Sequence, residues 1–391
     1  MLIQTYFKHT IAALLLVIAI NAPVFANHDP ADSLHTSVTQ EVETEAEKIQ
    51  HTLQNEVAHT EEQFDAGKMI MDHILDAHDW HLWGEHHSAV SIPLPILLYT
   101  DKGFDCFSSS KFHHGEETVQ GKNYDYKLEG RNIVIVDPNG AIDEVSTAKM
   151  IDFSITKNVA ALFISIILLV FIFIPIGKKY STNANRAPSG LQSLLEPVIL
   201  FIRDNVAIPN IGVKKHGKYM PFLLTVFFFI LINNLLGLVP FFPGGANLTG
   251  NISIALTLAA IVLIIVIVTS NKNYWIHILA MPGVPKPILI ILTPIEILGF
   301  LIRPFVLMMR LFANIVAGHI VILSFIALIF IFGAMSATAG YGISIFSMFL
   351  VVFMSLLELL VAFLQAYVFT LLAAIYFGSA IEEHHHEGEK H

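Results

Sequence analysis

The sequence predicts an all-α polytopic membrane protein. It should have about five membrane segments plus a surface amphipathic helix, the last two segments forming a long tilted helical hairpin, and a small β-rich extracytoplasmic subdomain near the N-terminus. Three observations carry this. Of 391 residues, 54% are hydrophobic and only 14% charged, and the apolar residues lie in several runs long enough to cross a bilayer. Acidic residues crowd into 29–152 while Lys and Arg cluster around 178–218, so the formal net charge of −10 averages two unlike regions and gives no argument for a nucleic-acid partner. Short β-type runs bounded by turn residues precede the first long apolar run.

Residues 1–26 read as a signal peptide: Lys8 and His9 form the n-region, Ile11 to Ile20 a ten-residue apolar stretch, and Val24-Phe25-Ala26 a small-residue cleavage site. Ten residues cannot span ~30 Å of hydrocarbon as a helix, so the mature N-terminus is expected outside the cytoplasm, in a bacterial periplasm. Residues 27–90 form a polar His/Glu-rich extracytoplasmic segment whose first part is expected to be disordered or loosely helical. Residues 91–152 form the small β subdomain, with Ile96-Leu97-Leu98-Tyr99 and Ile133-Val134-Ile135-Val136 as hairpin strands beside the turns Asp101-Lys102-Gly103 and Asp137-Pro138-Asn139-Gly140. It is too short for a large core and should lean on the membrane domain or a neighbour. The lone Cys106 reads as a small apolar strand residue.

The membrane domain, 153–381, opens with an apolar span at 159–176 that stops at Gly177-Lys178-Lys179. Leu191, Leu194, Leu195, Val198, Ile199, Ile202 and Val206 then recur at helical spacing, with Glu196, Arg203 and Asp204 off the stripe, which suits a helix lying along the membrane surface. Tyr219 to Val239 and Ile252 to Val268 are further spans joined by the uncharged turn Pro240 to Gly250. Lys178, Lys179, Arg186, Arg203, Lys214, Lys215 and Lys218 collect on one side, whereas the turns at 240–250 and 333–342 carry no charge. By the positive-inside rule the C-terminus and the His/Glu tail 382–391 are cytoplasmic. Pro287 to Phe332 is 46 residues, about 69 Å as helix against ~30 Å of hydrocarbon, so it and the next segment, Ile343 to Ala380, cannot stand upright. A tilted hairpin fits, with Pro294 and Pro304 as available bend points.

Arg310 sits near the middle of that long segment, where a charge costs roughly 2.5–3.5 kcal/mol on insertion scales and is kept only where function or a partner offsets it. Arg303 precedes it by seven residues and Glu296 precedes Arg303 by seven, all within about 40° of one face at 100° per residue, and Asn314 extends the stripe. A polar line on a membrane helix must face protein or water. The plainer reading of Glu296 and Arg303 is a structural ion pair. His319 lies on the face opposite Arg310, and in an antiparallel hairpin it should match Glu358 in depth, as Arg310 should match Gln365. A buried imidazole and carboxylate have pKa values that desolvation and pairing move into the working range, which suits a proton relay; a satisfied polar pair is the bland alternative.

The run from Phe305-Val306-Leu307-Met308-Met309-Arg310-Leu311-Phe312-Ala313-Asn314 to Ala317-Gly318-His319 resembles the arginine motif of subunit a of F-type ATP synthases. Asn233-Asn234-Leu235-Leu236-Gly237-Leu238-Val239-Pro240 with Thr249-Gly250-Asn251-Ile252-Ser253 is similar to its earlier membrane motif, and Leu364-Gln365-Ala366-Tyr367-Val368-Phe369 to its last helix. The resemblance covers about 155–380; the extension at 27–150 lies outside the common pattern and is similar to that of Bacteroidetes-type enzymes. It implies a non-catalytic, proton-conducting stator subunit of the inner membrane, with a c-subunit ring, b-type peripheral stalk subunits and the rest of the ATP synthase as partners. Arg310 would face each ring carboxylate between two aqueous half-channels, Gln365 would match the glutamine near the arginine, and Glu296, His319 and Glu358 would match channel-lining sites. Here the histidine precedes the glutamate, whereas some relatives exchange them.

Eleven histidines lie between His28 and His114, and His384 to His386 sit in the tail. They show no fixed ligand framework and read as solvated polar stretches, so neither metal nor cofactor is expected. No phosphate loop or nucleophile motif is present. Two other classes compete: an anchored extracytoplasmic metal-binding or sensor protein, which would tolerate replacement of Arg310, and a secondary transporter, which would need internal repeat symmetry.

Overall fold

The computed structural model describes residues 64–83, 90–115, 117–182, 187–239, 242–281 and 284–382. The signal-peptide reading, the first part of the 27–90 segment and the tail beyond 382 lie outside the described residues.

Regular structure starts well before residue 91. Helix α1 (Ala66–Ile74) is capped by Asp65, whose side chain accepts from the Lys68 N–H at 3.1 Å. Strands β1 (Asp79–Trp83) and β2 (Val90–Pro93) pair antiparallel, so residue 91 falls inside a ladder rather than at a boundary. Strands β3 (Pro95–Thr100) and β4 (Gly103–Ser108) form the first expected hairpin, turning at Asp101-Lys102 with Gly103 at φ +131°, and β8 (Ile151–Asp152) joins the free edge of β3. A 3₁₀ segment (Ser109–Gly115) leads to a second sheet of β5 (Val119–Gln120), β6 (Asp125–Glu129) and β7 (Asn132–Val136). The Asp137–Gly140 turn follows β7 and returns the chain to a bridge between Val136 and Ile142, and helix α2 (Glu144–Thr147) comes next.

Alternation along β3 sends Ile96 and Leu98 inward, where they meet Phe107, Phe112, Tyr126, Ile133 and Ile135 in a small core. The Tyr126 hydroxyl donates to buried Asp105 at 2.6 Å; burial and that carboxylate push the phenol pKa well above its ordinary value. Cys106 is a strand residue, as its sequence suggests, but lies on the exposed face of β4.

Among the described residues, the membrane domain contains five helices long and apolar enough to cross a bilayer. They are α3 (Lys157–Thr182), α6 (His216–Leu238), α7 (Ile252–Thr269), α9 (Lys286–Met335) and α10 (Ala337–Ile381). Between the first two lies the amphipathic helix α4 (Leu191–Ile202), continued through a π-helical turn (Arg203–Ala207) into α5 (Ile208–Ile211). Its stripe divides: Leu195, Val198, Ile199 and Ile202 pack on the bundle, while Leu191 and Leu194 stay exposed. A short α8 (Lys272–Leu279) precedes the hairpin.

Helix α9 has 50 residues and α10 has 45, about 75 and 68 Å at ~1.5 Å per residue. Their connection is tighter than the uncharged turn at 333–342 predicts. Ser336 alone interrupts the helices, its side chain capping the Ala339 N–H at 3.1 Å. A β-carbon on Gly340 would come within 2.8 Å of the Gly333 Cα, so two glycines let the helices touch up to the bend and no loop is needed. Pro294 and Pro304 lie inside the continuous α9.

The two ends of the bundle differ. At one, the last carbonyls of α10 are tied to the basic loops: Lys215 Nζ donates to the Ile381 carbonyl at 3.1 Å, and Asn271 donates to Ala380 and Ile381. At the other, the N-terminal unit sits on the membrane helices. Trp80 packs with Ala161 of α3 and Ala246 of the α6–α7 turn, its ring 5.2 Å from Phe242, and Phe64 stacks 5.0 Å from Phe330 of α9. The unit therefore has a core of its own and leans on the membrane domain.

Two predictions follow from this packing. A β-carbon on Gly378 of α10 would collide with the Asn210 carbonyl of α5; Gly378→Val should destabilise the chain by about 2 kcal/mol or more, read as a lowered thermal midpoint of the detergent-solubilised protein. Burial raises the Asp152 pKa, but hydrogen bonds from His78 and Ser154 outweigh it and hold the carboxyl below its ordinary value. The stabilisation is thus complete above about pH 4 and is lost as pH falls through the depressed value. Thermal midpoints measured at descending pH should drop less steeply in Asp152→Asn than in the parent.

Candidate functional site

Most of α9 and α10 is apolar, and the polar side chains they carry fall into three groups along the hairpin. Nearest the basic end, Glu296 and Arg303, two turns apart on α9, pair at 3.8 Å while both are half-buried. Arg303 also donates to the Tyr274 hydroxyl of α8 at 3.3 Å and lies 5.7 Å from the ring of Tyr376 on α10. Arg303, Tyr274 and Tyr376 line a small cavity with Phe300 and Leu307. The ion-pair reading of Glu296 and Arg303 thus describes their contact, with two tyrosines added that composition counts as apolar.

Two turns further on is Arg310. It is exposed on the surface of α9, and among the described residues no carboxylate pairs with it. Ala313 and Ala317 on the following turns are exposed as well, leaving little side-chain bulk beside the guanidinium. Gln365 does not reach Arg310 by a hydrogen bond. It accepts instead from Asn314 Nδ2 at 2.9 Å, one turn beyond the arginine, while its own Nε2 is buried without a protein partner among the described residues. The hydrogen-bonded partner of Gln365 is therefore Asn314, one turn nearer the bend than the residue that counting from the turn selects.

The third group lies toward the N-terminal unit. His319, on the face opposite Arg310, is buried, and its Nδ1 lies 3.6 Å from Glu358 Oε1 of α10. That is an ion-pair distance but too long for a good hydrogen bond, and both atoms lack another protein partner among the described residues. Gly318 makes room for this pair: any β-carbon there would overlap the Glu358 carboxyl. On α6, Asn234 donates to the Ala362 carbonyl of α10 at 3.3 Å and accepts from Thr249 Oγ1 at 2.6 Å. A β-carbon on Gly237 would lie 3.5 Å from the Ala246 oxygen and 3.9 Å from His319 Nε2. The α6–α7 turn thus reaches the His319–Glu358 pair through α6.

The depth argument pairs His319 with Glu358, but the supporting layer of Asn234, Thr249 and Asn247 escapes it. A signal for that layer exists: Asn233 and Asn234 are adjacent amides inside an apolar span, costly by the same reasoning that singles out Arg310. Among the described residues no group of three or more His, Cys, Asp or Glu side chains could hold a metal ion.

A file of ionisable and amide groups through an apolar bundle, interrupted by an unpaired surface cation, defines an ion-translocating polytopic membrane protein. Residues 159–378 match the family model described as ATP synthase A chain, and 69–153 match a domain of unknown function (DUF8433). The chain is 44% identical over 245 residues to "ATP synthase subunit a 2" of Prosthecochloris aestuarii, covering 61% of this chain and 72% of that one. It is 42% identical over 246 residues to "ATP synthase subunit a" of Chloroherpeton thalassium (61% and 70%), and 40% identical over 290 residues to "ATP synthase subunit a" of Chlorobium phaeobacteroides strain DSM 266 (71% and 81%). The chain belongs to the ATP synthase A chain family, the subunit a family of F-type ATP synthases. It is accordingly a multi-pass, non-catalytic subunit of the membrane sector, concerned with proton translocation. Membership sets aside the anchored-sensor reading.

Thr249→Val keeps the shape of that side chain but leaves Asn234 Oδ1 unpaired. The expected cost is about 1 kcal/mol, seen as a lower thermal midpoint of the purified complex; an unchanged midpoint would show that the bond contributes nothing.

Proposed function

We propose that Arg310 separates two proton half-paths and faces the carboxylate of a rotating c-subunit ring. The observation that carries this reading is an arginine exposed at mid-hairpin with no carboxylate paired to it among the described residues. In hydrocarbon such a charge is costly, and a carboxylate arriving on a neighbouring subunit would offset that cost. A permanent cation favours the ionised form of that carboxylate and repels a proton crossing directly from one half-path to the other.

His319 and Glu358 form the relay of the half-path on the side of the N-terminal unit. Glu296 lines the opposite half-path at the basic end, where Arg303 and the two tyrosines hold it. Asn314 and Gln365 hold the two helices in register beside Arg310. A proton passing from one half-path to the other by way of the ring carries about 2.3 kcal/mol per 100 mV of membrane potential. The titratable His319–Glu358 pair favours H⁺ over Na⁺ as the ion.

The membrane is the bacterial inner membrane. The N-terminal unit is periplasmic and the basic loops and C-terminus cytoplasmic, a reading supported by the gathering of Lys178, Lys179, Lys214, Lys215 and Lys218 at one end of the bundle. The chain then divides into a removed signal peptide at 1–26, a periplasmic part to residue 152, the proton-path domain at 153–381 and a short tail. Further partners are b-type peripheral stalk subunits.

Arg310→Ala should abolish ATP-driven proton pumping in vesicles while the complex still assembles and hydrolyses ATP. Pumping at the parental rate would sink the proposal. Glu358→Gln, which removes a titrating group and keeps its shape, should slow pumping about a hundredfold, the low end of what a positioned proton-transfer group contributes.

A further inference from the structure

The N-terminal unit is seated on the membrane domain, and its seam contains two buried amides that the packing leaves incomplete. Asn158, in the first turn of α3, is 2% exposed. Its backbone N–H donates to Asp76 Oδ1 at 3.0 Å, but its side-chain Oδ1 has no protein partner among the described residues. Asn247, in the α6–α7 turn, is 3% exposed; its Oδ1 accepts from the Gly250 N–H at 3.0 Å, and its Nδ2 has no protein partner among the described residues. Buried amide atoms in native proteins are hydrogen-bonded, and where protein supplies no partner, water does.

The two amides flank one contact. Ala161 lies one turn after Asn158 on the same side of α3, and Ala246 immediately precedes Asn247; both alanines pack against Trp80 of the N-terminal unit. The Ala246 carbonyl borders Gly237, whose other neighbour is His319 Nε2. Next to Asn247, Thr249 donates to Asn234, which donates to Ala362, one turn from Glu358 on α10. Among the described residues, buried polar atoms without a hydrogen-bond partner thus lie at the seam, on Asn158 and Asn247, and again at Nδ1 of His319 and Oε1 of Glu358, with the bonded Thr249 and Asn234 between. On its outer side the seam carries Asp76, His78, Asp152 and the buried ammonium of Lys157, which donates to the His73 carbonyl at 3.3 Å. Such a lining is hydrophilic where the apolar contact is small.

We propose that the seam between the N-terminal unit and the membrane helices is the mouth of the outer proton path. Water held by Asn158 and Asn247 beneath Trp80 connects the aqueous phase to His319 and Glu358. The inference rests on the reading of that pair as the outer relay, and it adds two path residues and a role for the N-terminal unit.

The test uses the whole ATP synthase in membrane vesicles, in a Cys106→Ser background so that the parent's thiol is absent. Asn158→Cys and Asn247→Cys are treated with Ag⁺, a small probe that reaches thiolates through water. The expected result is block of proton flow in both variants and none in the Cys106→Ser parent. Thiols that do not react, or that react without changing proton flow, overturn the proposal. Polarity is examined separately: Asn158→Ser and Asn247→Ser should keep most of the flow, whereas the corresponding Leu variants should lose most of it. Equal flow in assembled Ser and Leu complexes overturns the proposal, and the Ser and thiol readouts decide if a Leu variant does not assemble. Glu358→Gln separates the two levels. If it slows pumping while the asparagine variants match the parent, the seam proposal alone fails; if it leaves pumping at the parental rate, the relay reading fails first.

Discussion

A charge cannot rest in hydrocarbon without water or a counter-charge, and this constraint organises the membrane domain. Arg303 satisfies it internally, through Glu296 and the ring and hydroxyl of two tyrosines. Arg310, two turns away on the same helix, does not. The contrast motivates the roles proposed above: the first arginine belongs to the wall, and the second faces a carboxylate of the ring. Holding an outward guanidinium at that depth needs a helix that neither rotates nor slides. The register supplied by the Asn314–Gln365 bond and by the buried alanines of α10 provides this.

Much of this was legible before any coordinates. Bilayer thickness against segment length identified the five spans and forced the last two into a tilted hairpin, and helical spacing placed the amphipathic α4. The cost of a buried charge singled out Arg310, and antiparallel depth brought His319 to Glu358. Each inference rests on a strong periodicity or a large energy; the spans, the amphipathic helix and the His319–Glu358 contact are present in the fold, while the role of Arg310 is a proposal.

What escaped depends on contacts between distant segments. The partner of Gln365 depends on how the two helices pack along their length, and the one-residue bend on the meeting of Gly333 and Gly340, facts that no local pattern carries. Tyr274 and Tyr376 carry no charge and sit in apolar surroundings, so nothing in their own segments marks them as supports for Arg303. The N-terminal unit began earlier than its β-type texture suggested, because Lys68, Asp72 and His73 of α1 and Asp79 and His81 of β1 give this stretch the composition of the loose segment before it. Trp80 gave a hint, being a large aromatic in a polar stretch, but the surface it covers is built from residues 160–164 and 242–246.

The long hairpin is fastened at both extremities. Near its bend, Phe330 is gripped by Phe64 of the N-terminal unit; at its far end, Lys215 and Asn271 bind the last carbonyls of α10. A rod clamped at two points deflects far less under a sideways push than one clamped at a single point. A pair of helices more than twice as long as the bilayer is thick would otherwise flex about its middle, where Arg310 sits. Mechanically, then, the chain is a braced span with an outward charge at its centre, and the extension that sets it apart from the common family pattern supplies one of the two abutments.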